Sequence, residues 1–124
     1  MIRLDTAVGG LVPPHVHPRA SEMVFILQGK FNVGFVDTSN KLFSVDVKAG
    51  DVFMIPRGLV HYQLNIGSTP GLFLAVLNSQ NPGFSFVSQA IFAANPSIPT
   101  AVLSKAFNIS PQEVEKIEQG LAGN

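Results

Sequence analysis

Short apolar runs, stopped again and again by glycine, proline or a polar cluster, set the limits on this fold. Glu22–Gln28, Phe31–Val36, Lys41–Val47, Val52–Ile55 and Leu72–Leu77 are each of strand length. Gly29-Lys30, Asp37-Thr38-Ser39-Asn40, Ala49-Gly50-Asp51, Pro56-Arg57-Gly58 and Gly67-Ser68-Thr69-Pro70-Gly71 punctuate them. Strands broken this often, with little room between turns for a helix, fold as closed or double-sheet β structures. Ile2–Val8 reads as a first strand, ended by Gly9-Gly10. His61, Gln63 and Asn65 fall on one face of another strand, because side chains alternate along an extended chain.

The strand patterns carry further expectations. Glu22–Gln28 is apolar on both faces after its first residue, unlike a half-solvated strand, which alternates. With Glu22 inward, Val24 and Ile26 also point inward, while Met23, Phe25 and Leu27 need a cover from a second sheet or a neighbouring subunit. Gly34 marks a bulge inside the returning strand. Val52–Ile55 reads as a short buried strand, and Val24, Ile26, Phe35 and Met54 as core or pocket wall.

After Asn81-Pro82-Gly83 the pattern changes, with Phe84–Phe92 read as a last strand leading into a helical turn. Thr100–Phe107 reads as a short helix with Val102, Leu103 and Phe107 on one face. Ser110 suits an N-cap, Pro111 the first helical position and Glu113 a capping box. Val114, Ile117 and Leu121 then form an apolar stripe, ended by Gly120 and Gly123. The chain reads as one domain, 1–124, with a barrel over about 1–92 and a helical segment over about 93–124.

All three histidines of the chain belong to two short stretches. His15 and His17 are two residues apart, a spacing that puts both rings on one face of a strand. Glu22 has the opposite parity, so Pro18-Arg19-Ala20-Ser21 is expected to bend and reset the register, with Glu22 opening a strand beside the first. Any one histidine is best read as a hydrogen-bonded structural residue. Three histidines and a carboxylate in one pattern point instead to a metal site with His15, His17, Glu22 and His61 as ligands. Such a nitrogen–oxygen set leaves coordination positions for water or substrate and is compatible with Fe, Zn, Ni, Cu or Mn. Asn65, on the His61 face, is the candidate catalytic residue, against the alternative that it prepares the Gly67 turn. Gln63 ranks below it, and Arg19 reads as a solvated loop residue or an anion attractor.

Taken together, Gly9-x5-His15-x-His17-x4-Glu22-x6-Gly29 and Gly50-x5-Pro56-x-Gly58-x2-His61-x3-Asn65 resemble the two cupin motifs in the form carried by germins and germin-like proteins. The wording Pro-Pro-His-x-His-Pro-Arg-Ala and the later Ser79-Gln80-Asn81-Pro82-Gly83 are also similar. The resemblance implies an all-β jelly-roll barrel with two or three short C-terminal helices, and it implies Mn2+ as the metal. It implies assembly into a hexamer as a trimer of dimers, with helices packing across subunits, and a home in the apoplast or cell wall. Germin-like proteins usually carry a secretory leader and an N-terminal disulfide segment. Neither is visible here, so the chain reads as N-terminally truncated.

Several functions rank differently on composition and resemblance. The net charge is zero, so no basic surface recruits nucleic acid. Only 13% of residues are charged, about half the usual share, which favours surface buried in an oligomer. No apolar run approaches the ~20 residues of a membrane-spanning helix. Superoxide dismutation is the leading activity, with a small carboxylate as the other substrate class. Oxalate oxidation ranks lower, because oxalate-oxidising germins carry asparagine before Pro-Pro-His, where this chain has Val12. The alternatives are a non-catalytic binding cupin of the auxin-binding kind, suggested by the ending Leu121-Ala122-Gly123-Asn124, and a structural or storage cupin. The sequon Asn108-Ile109-Ser110 would make a glycoprotein, but Pro111 follows and Ser110 is expected to be occupied as a cap.

Overall fold

The computed structural model describes residues Met1–Ala122; Gly123, read above as a helix stop, and Asn124 lie outside the described residues. Two compact units are present, Met1–Ser85 and the segment from Phe86 onward.

The first unit is the barrel. Its strands are β1 (Ile2–Thr6), β2 (Leu11–Val16), β3 (Glu22–Gln28), β4 (Lys30–Val36), β5 (Leu42–Lys48), β6 (Val52–Ile55), β7 (Val60–Asn65) and β8 (Gly71–Leu77), with β9 (Ser85–Phe86) beginning at its end. One sheet has the order β1-β8-β3-β6, and the other runs β5-β4-β7-β2 with β9 beyond β2. Apart from the β4–β5 hairpin, strands adjacent in space are thus non-consecutive in sequence, and the pairings are antiparallel. This is the jelly-roll arrangement expected from the sequence.

Strand alternation builds the core between the sheets. Val24, Ile26, Ile55, Phe73 and Ala75 come from one sheet, and Phe31, Val33 and Val47 from the other. A large apolar side chain buried this fully contributes about 1.5–3 kcal/mol. The exception is β7, whose inward residues His61, Gln63 and Asn65 are all polar and all buried. Buried polar groups are costly unless they find partners, so β7 marks the place where the interior has been given over to something other than packing.

Several expectations need correcting. β1 stops at Thr6, because a turn takes Val8-Gly9. β6 is an edge strand: alternation turns Ile55 inward but leaves Val52 and Met54 exposed, so Met54 is neither core nor pocket wall. Gly34 makes no bulge, since β4 keeps unbroken register with both neighbours. It is glycine because a Cβ there would lie 2.9 Å from Ser44 Cβ and 3.0 Å from the Tyr62 hydroxyl.

The second unit contains α1 (Val87–Phe92), α2 (Thr100–Phe107) and α3 (Pro111–Ala122). The segment read as a strand before α1 is reduced to the two residues of β9. Ser110 Oγ accepts a hydrogen bond from the Glu113 N–H at 3.1 Å, the N-cap bond expected. Leu103 and Val114 are buried, whereas Val102, Phe107 and Ile117 are exposed. Gly120 lies inside α3 instead of ending it, at the cost of about 0.5–1 kcal/mol usual for a glycine within a helix.

Candidate metal centre

The site is assembled by a bulge. Val12 pairs with Gln63, but the next pair is His15 with His61, so β2 gains one residue between them. That interval holds Pro13 and Pro14, which have no N–H to give to the ladder. The extra residue reverses the parity of β2. Val12 and His15 therefore both face inward although they are three apart, and His17 follows His15 two residues on. Just past the strand, His17 is fixed by its carbonyl, which accepts a hydrogen bond from the Gly58 N–H at 3.1 Å.

Glu22 arrives from the opposite wall. The bend is present, but β3 does not lie beside β2; it pairs with β6 and β8 in the other sheet. Strand parity foretold the bend and carried no information about which sheet the chain would enter. Within the bend Ala20 is buried, the Arg19 N–H donates to Pro82 O at 2.9 Å, and the Ser21 N–H donates to Asn78 Oδ1 at 2.9 Å.

Each ring is held through the same nitrogen. His15 Nδ1 meets Pro13 O at 2.7 Å, His17 Nδ1 meets Gly83 O at 2.6 Å and His61 Nδ1 meets Leu59 O at 2.9 Å. A carbonyl only accepts, so each Nδ1 carries the proton, and in the neutral ring each Nε2 keeps its lone pair. The three histidines can offer ligand nitrogens all within 4.8 Å of one another. Glu22 completes the cluster, with Oε2 3.0 Å from His61 Nε2 and Oε1 3.7 Å from His17 Nε2. All four residues are at most 4% exposed, which leaves water little part in satisfying them. The His15 ring is pushed down to about 4, first by burial and then by the charge of His61, while its bond to the Pro13 carbonyl opposes the shift. At neutral pH it is an uncharged ring.

This donor set fits a divalent transition metal. Among the described residues, His61 Nε2 and Gln63 Oε1 are buried with no hydrogen-bond partner; the His61–Glu22 contact sets the Nε2 lone pair against a carboxylate oxygen, two acceptors with no proton between them. A buried polar atom left so costs about 1–3 kcal/mol. Ligand atoms about 2.0–2.3 Å from a common ion and at right angles lie roughly 3 Å apart, the His61–Glu22 separation. Imidazole nitrogens fixed through their other nitrogen are the usual arrangement around metals.

The remaining candidates divide. Asn65 is not brought to the cluster. Its Nδ2 donates to Ala7 O and Thr69 O, each at 3.0 Å, and its Oδ1 accepts from the Gly67 N–H at 2.9 Å. The amide therefore ties together the β1–β2 and β7–β8 turns. Gln63, ranked lower in sequence, is the amide that reaches the site, 3.4 Å from Glu22 Oε2. Arg19 is an exposed loop residue, as the first of its two readings has it, and it is tied down there: Nε donates to Asn81 O at 2.7 Å and Nη2 to Asn81 Oδ1 at 3.1 Å. Gly9, Gly29, Gly50 and Gly58 all have positive φ, as their motif positions suggested. Sequence reasoning missed Phe84, whose ring stacks on His15 at 4.9 Å. The only signal for it was its place directly after Asn81-Pro82-Gly83. A cavity of about 110 Å³ lies over the cluster, walled by His15, His17, Glu22 and Gln63 and by apolar side chains that include Val12, Phe73 and Phe84.

Known proteins are similar to this chain in sequence and fold. Residues 1–115 match the family described as cupin. The chain is 53% identical over 122 residues to germin-like protein 5-1 of Oryza sativa subsp. japonica, covering 98% of this chain and 55% of that protein. It is 49% identical over 122 residues to germin-like protein subfamily 2 member 2 of Arabidopsis thaliana, covering 98% and 56%. Among solved structures, a recombinant oxalate oxidase in complex with glycolate is 44% identical with a TM-score of 0.94, over 98% of this chain and 62% of that one. The chain thus spans about half the length of the curated relatives it matches.

Proposed function

Because the chain belongs to the cupin family, and within it to the germin-like proteins, we propose that it holds one Mn2+ through His15, His17, Glu22 and His61 and dismutates superoxide. The observation that carries this reading is the common pose of the three rings, each Nδ1 bound to a carbonyl, with the Nε2 atoms of His17 and His61 facing the Glu22 carboxylate. Bound there, manganese would supply the Mn2+/Mn3+ couple that takes an electron from one superoxide and returns it to another.

The protein's own groups do the rest. The bonded Nδ1 atoms fix tautomer and orientation, so the rings need not reorganise when charge changes at Nε2. Glu22 would offset one of the ion's two charges. Among the described residues, no lysine or arginine lines the cavity, so the remaining positive charge would be what attracts an anion. Gln63 Nε2 leans on Glu22 Oε2, and its buried Oε1 is an acceptor for a protonated product. The apolar walls limit both water and the size of what enters.

Oxalate oxidation, the activity of the structural neighbour, is the weaker reading. Val12 lines this cavity and has no hydrogen bond to offer a second carboxylate. The test is superoxide dismutation by the manganese-loaded chain, freed of unbound ion, against an equal concentration of free Mn2+. Activity above that control, lost in His61→Ala, supports the proposal; a loaded protein no better than free ion overturns it.

Assembly and location belong to the same proposal. Val52 and Met54 on β6 and Val76 on β8 form an exposed apolar surface with Met23, and Val102, Phe107 and Ile117 leave another on the helices. These surfaces support a homo-oligomer, taken as the germin-type hexamer. No helix among the described residues is long and apolar enough to cross a membrane, and the germin relationship supports a place in the apoplast.

A further inference from the structure

Two loops that the metal reading does not use are fastened together beside it. Arg19 lies two residues beyond His17 and grips Asn81 twice, at its carbonyl through Nε and at its side-chain oxygen through Nη2. The Arg19 N–H adds a bond to Pro82 O at 2.9 Å. Directly after these anchors, Gly83 gives its carbonyl to His17 Nδ1 at 2.6 Å. Gly83 adopts φ +74°, and a Cβ there would lie 2.8 Å from Pro18 Cγ, so only glycine lets the two loops approach this closely. The next residue, Phe84, then lays its ring on His15, 4.9 Å between centroids and 28° from parallel, with His17 at 5.3 Å.

Phe84 differs from the polar residues of the pocket in one respect. His15, His17, Glu22 and Gln63 are almost completely buried, whereas Phe84 is 54% exposed and still lines the cavity, as does Ile2 at 46%. Of these two exposed walls, Phe84 is the one stacked on the histidines, so its ring is where the metal side of the cavity meets the outside. A ring in that position takes up volume that a ligand would need, and it shields two of the histidines from solvent.

We propose that Phe84 is the specificity-determining residue of this site, a cover that admits small ligands and excludes ring-sized ones. Arg19 is the positioning residue that holds the cover in place through Asn81 and Gly83. The inference rests on the metal-site reading. It goes beyond that reading in saying what limits access, and in giving Arg19 a role by its grip on the backbone and not by its charge at the mouth.

The test uses the full chain loaded with Mn2+ and two anions of different bulk, azide and benzoate, with binding read from the electron paramagnetic resonance spectrum of the metal. Metal release into excess chelator is timed as a readout independent of activity. Phe84→Ala is expected to strengthen benzoate binding about tenfold, to leave azide within about twofold and to speed metal release about tenfold, the lower end of the change usual when groups supporting metal ligands are altered. Arg19→Ala is expected to move the same quantities in the same direction, and Arg19→Lys, which keeps charge but loses the planar fork, is expected to rescue little. Phe84→Leu, which conserves bulk, guards against a folding defect and should stay near wild type. A wild-type chain that takes up no metal overturns the metal reading and this inference with it. A loaded Phe84→Ala protein with unchanged benzoate affinity and release rate overturns the cover alone. An altered Phe84→Ala beside an unaltered Arg19→Ala overturns the positioning role.

Discussion

Acid should destabilise the metal-free protein through His15, and the size of the effect follows from where that ring sits. In the folded chain its pKa is depressed to about 4 from 6.5, mainly by burial. Above pH 6.5 the ring is neutral in both states, and no stability is lost. As pH falls below 6.5 the unfolded chain takes up a proton that the folded chain refuses, so stability declines until the folded ring also protonates near 4. The interval corresponds to about 3 kcal/mol when complete, most of it lost by pH 4.5. A small domain has only about 5–15 kcal/mol in total, so the loss is large. The assay is urea unfolding of the metal-free chain and of His15→Asn between pH 7.5 and 4.5. Asparagine can keep the bond to Pro13 O and cannot titrate, so the difference between the two proteins isolates His15 from the other groups at the site, His17, Glu22 and His61. Wild type should lose about 3 kcal/mol relative to the variant as pH falls. A difference that stays flat with pH, or that grows in favour of wild type in acid, would refute the reasoning.

Other substitutions separate scaffold from site. Asn65→Ala removes three hydrogen bonds of a buried amide and is expected to cost about 2–4 kcal/mol in chemical unfolding, with metal affinity measured by competition unchanged. Gln63→Leu leaves Glu22 without its amide neighbour, and metal affinity should fall about tenfold while thermal stability holds. Ser110→Ala deletes the α3 cap and should cost about 1 kcal/mol with no effect at the metal. Light scattering should show an oligomer, and mixed polar substitutions at Val52, Met54 and Val76 should shift it towards smaller species; a monodisperse wild-type monomer would remove the interface reading.

Much of this architecture can be read from the chain because two signals reinforce each other. Glycine and proline fix where strands stop, and alternation fixes which side chains turn inward, so the inward orientation of Glu22, Val24 and Ile26 is legible in the sequence. The same alternation is silent about which sheet a strand joins. The placement of Glu22 opposite His15, and not beside it, comes from the loop bonds at Arg19 and Ser21, which join residues about sixty apart. The ranking of Asn65 over Gln63 failed for a related reason. Both face inward from β7, and only the turn at Gly67, with Ala7 and Thr69 within reach, shows that the Asn65 amide is already occupied. Met54 was misplaced because an apolar run does not reveal that its strand lies at an edge. Phe84 carried no signal beyond its place after Asn81-Pro82-Gly83, since its stacking on His15 is a contact between residues about seventy apart.

The central claim is that four side chains from three strand regions hold one manganese ion, and metal stoichiometry tests it most directly. The purified full chain, loaded with Mn2+ and dialysed, should retain one manganese per chain by elemental analysis, while His17→Ala should retain none and keep the circular dichroism of the folded barrel. A wild-type chain that retains no metal, or a His17→Ala chain that stays fully loaded, would contradict the account.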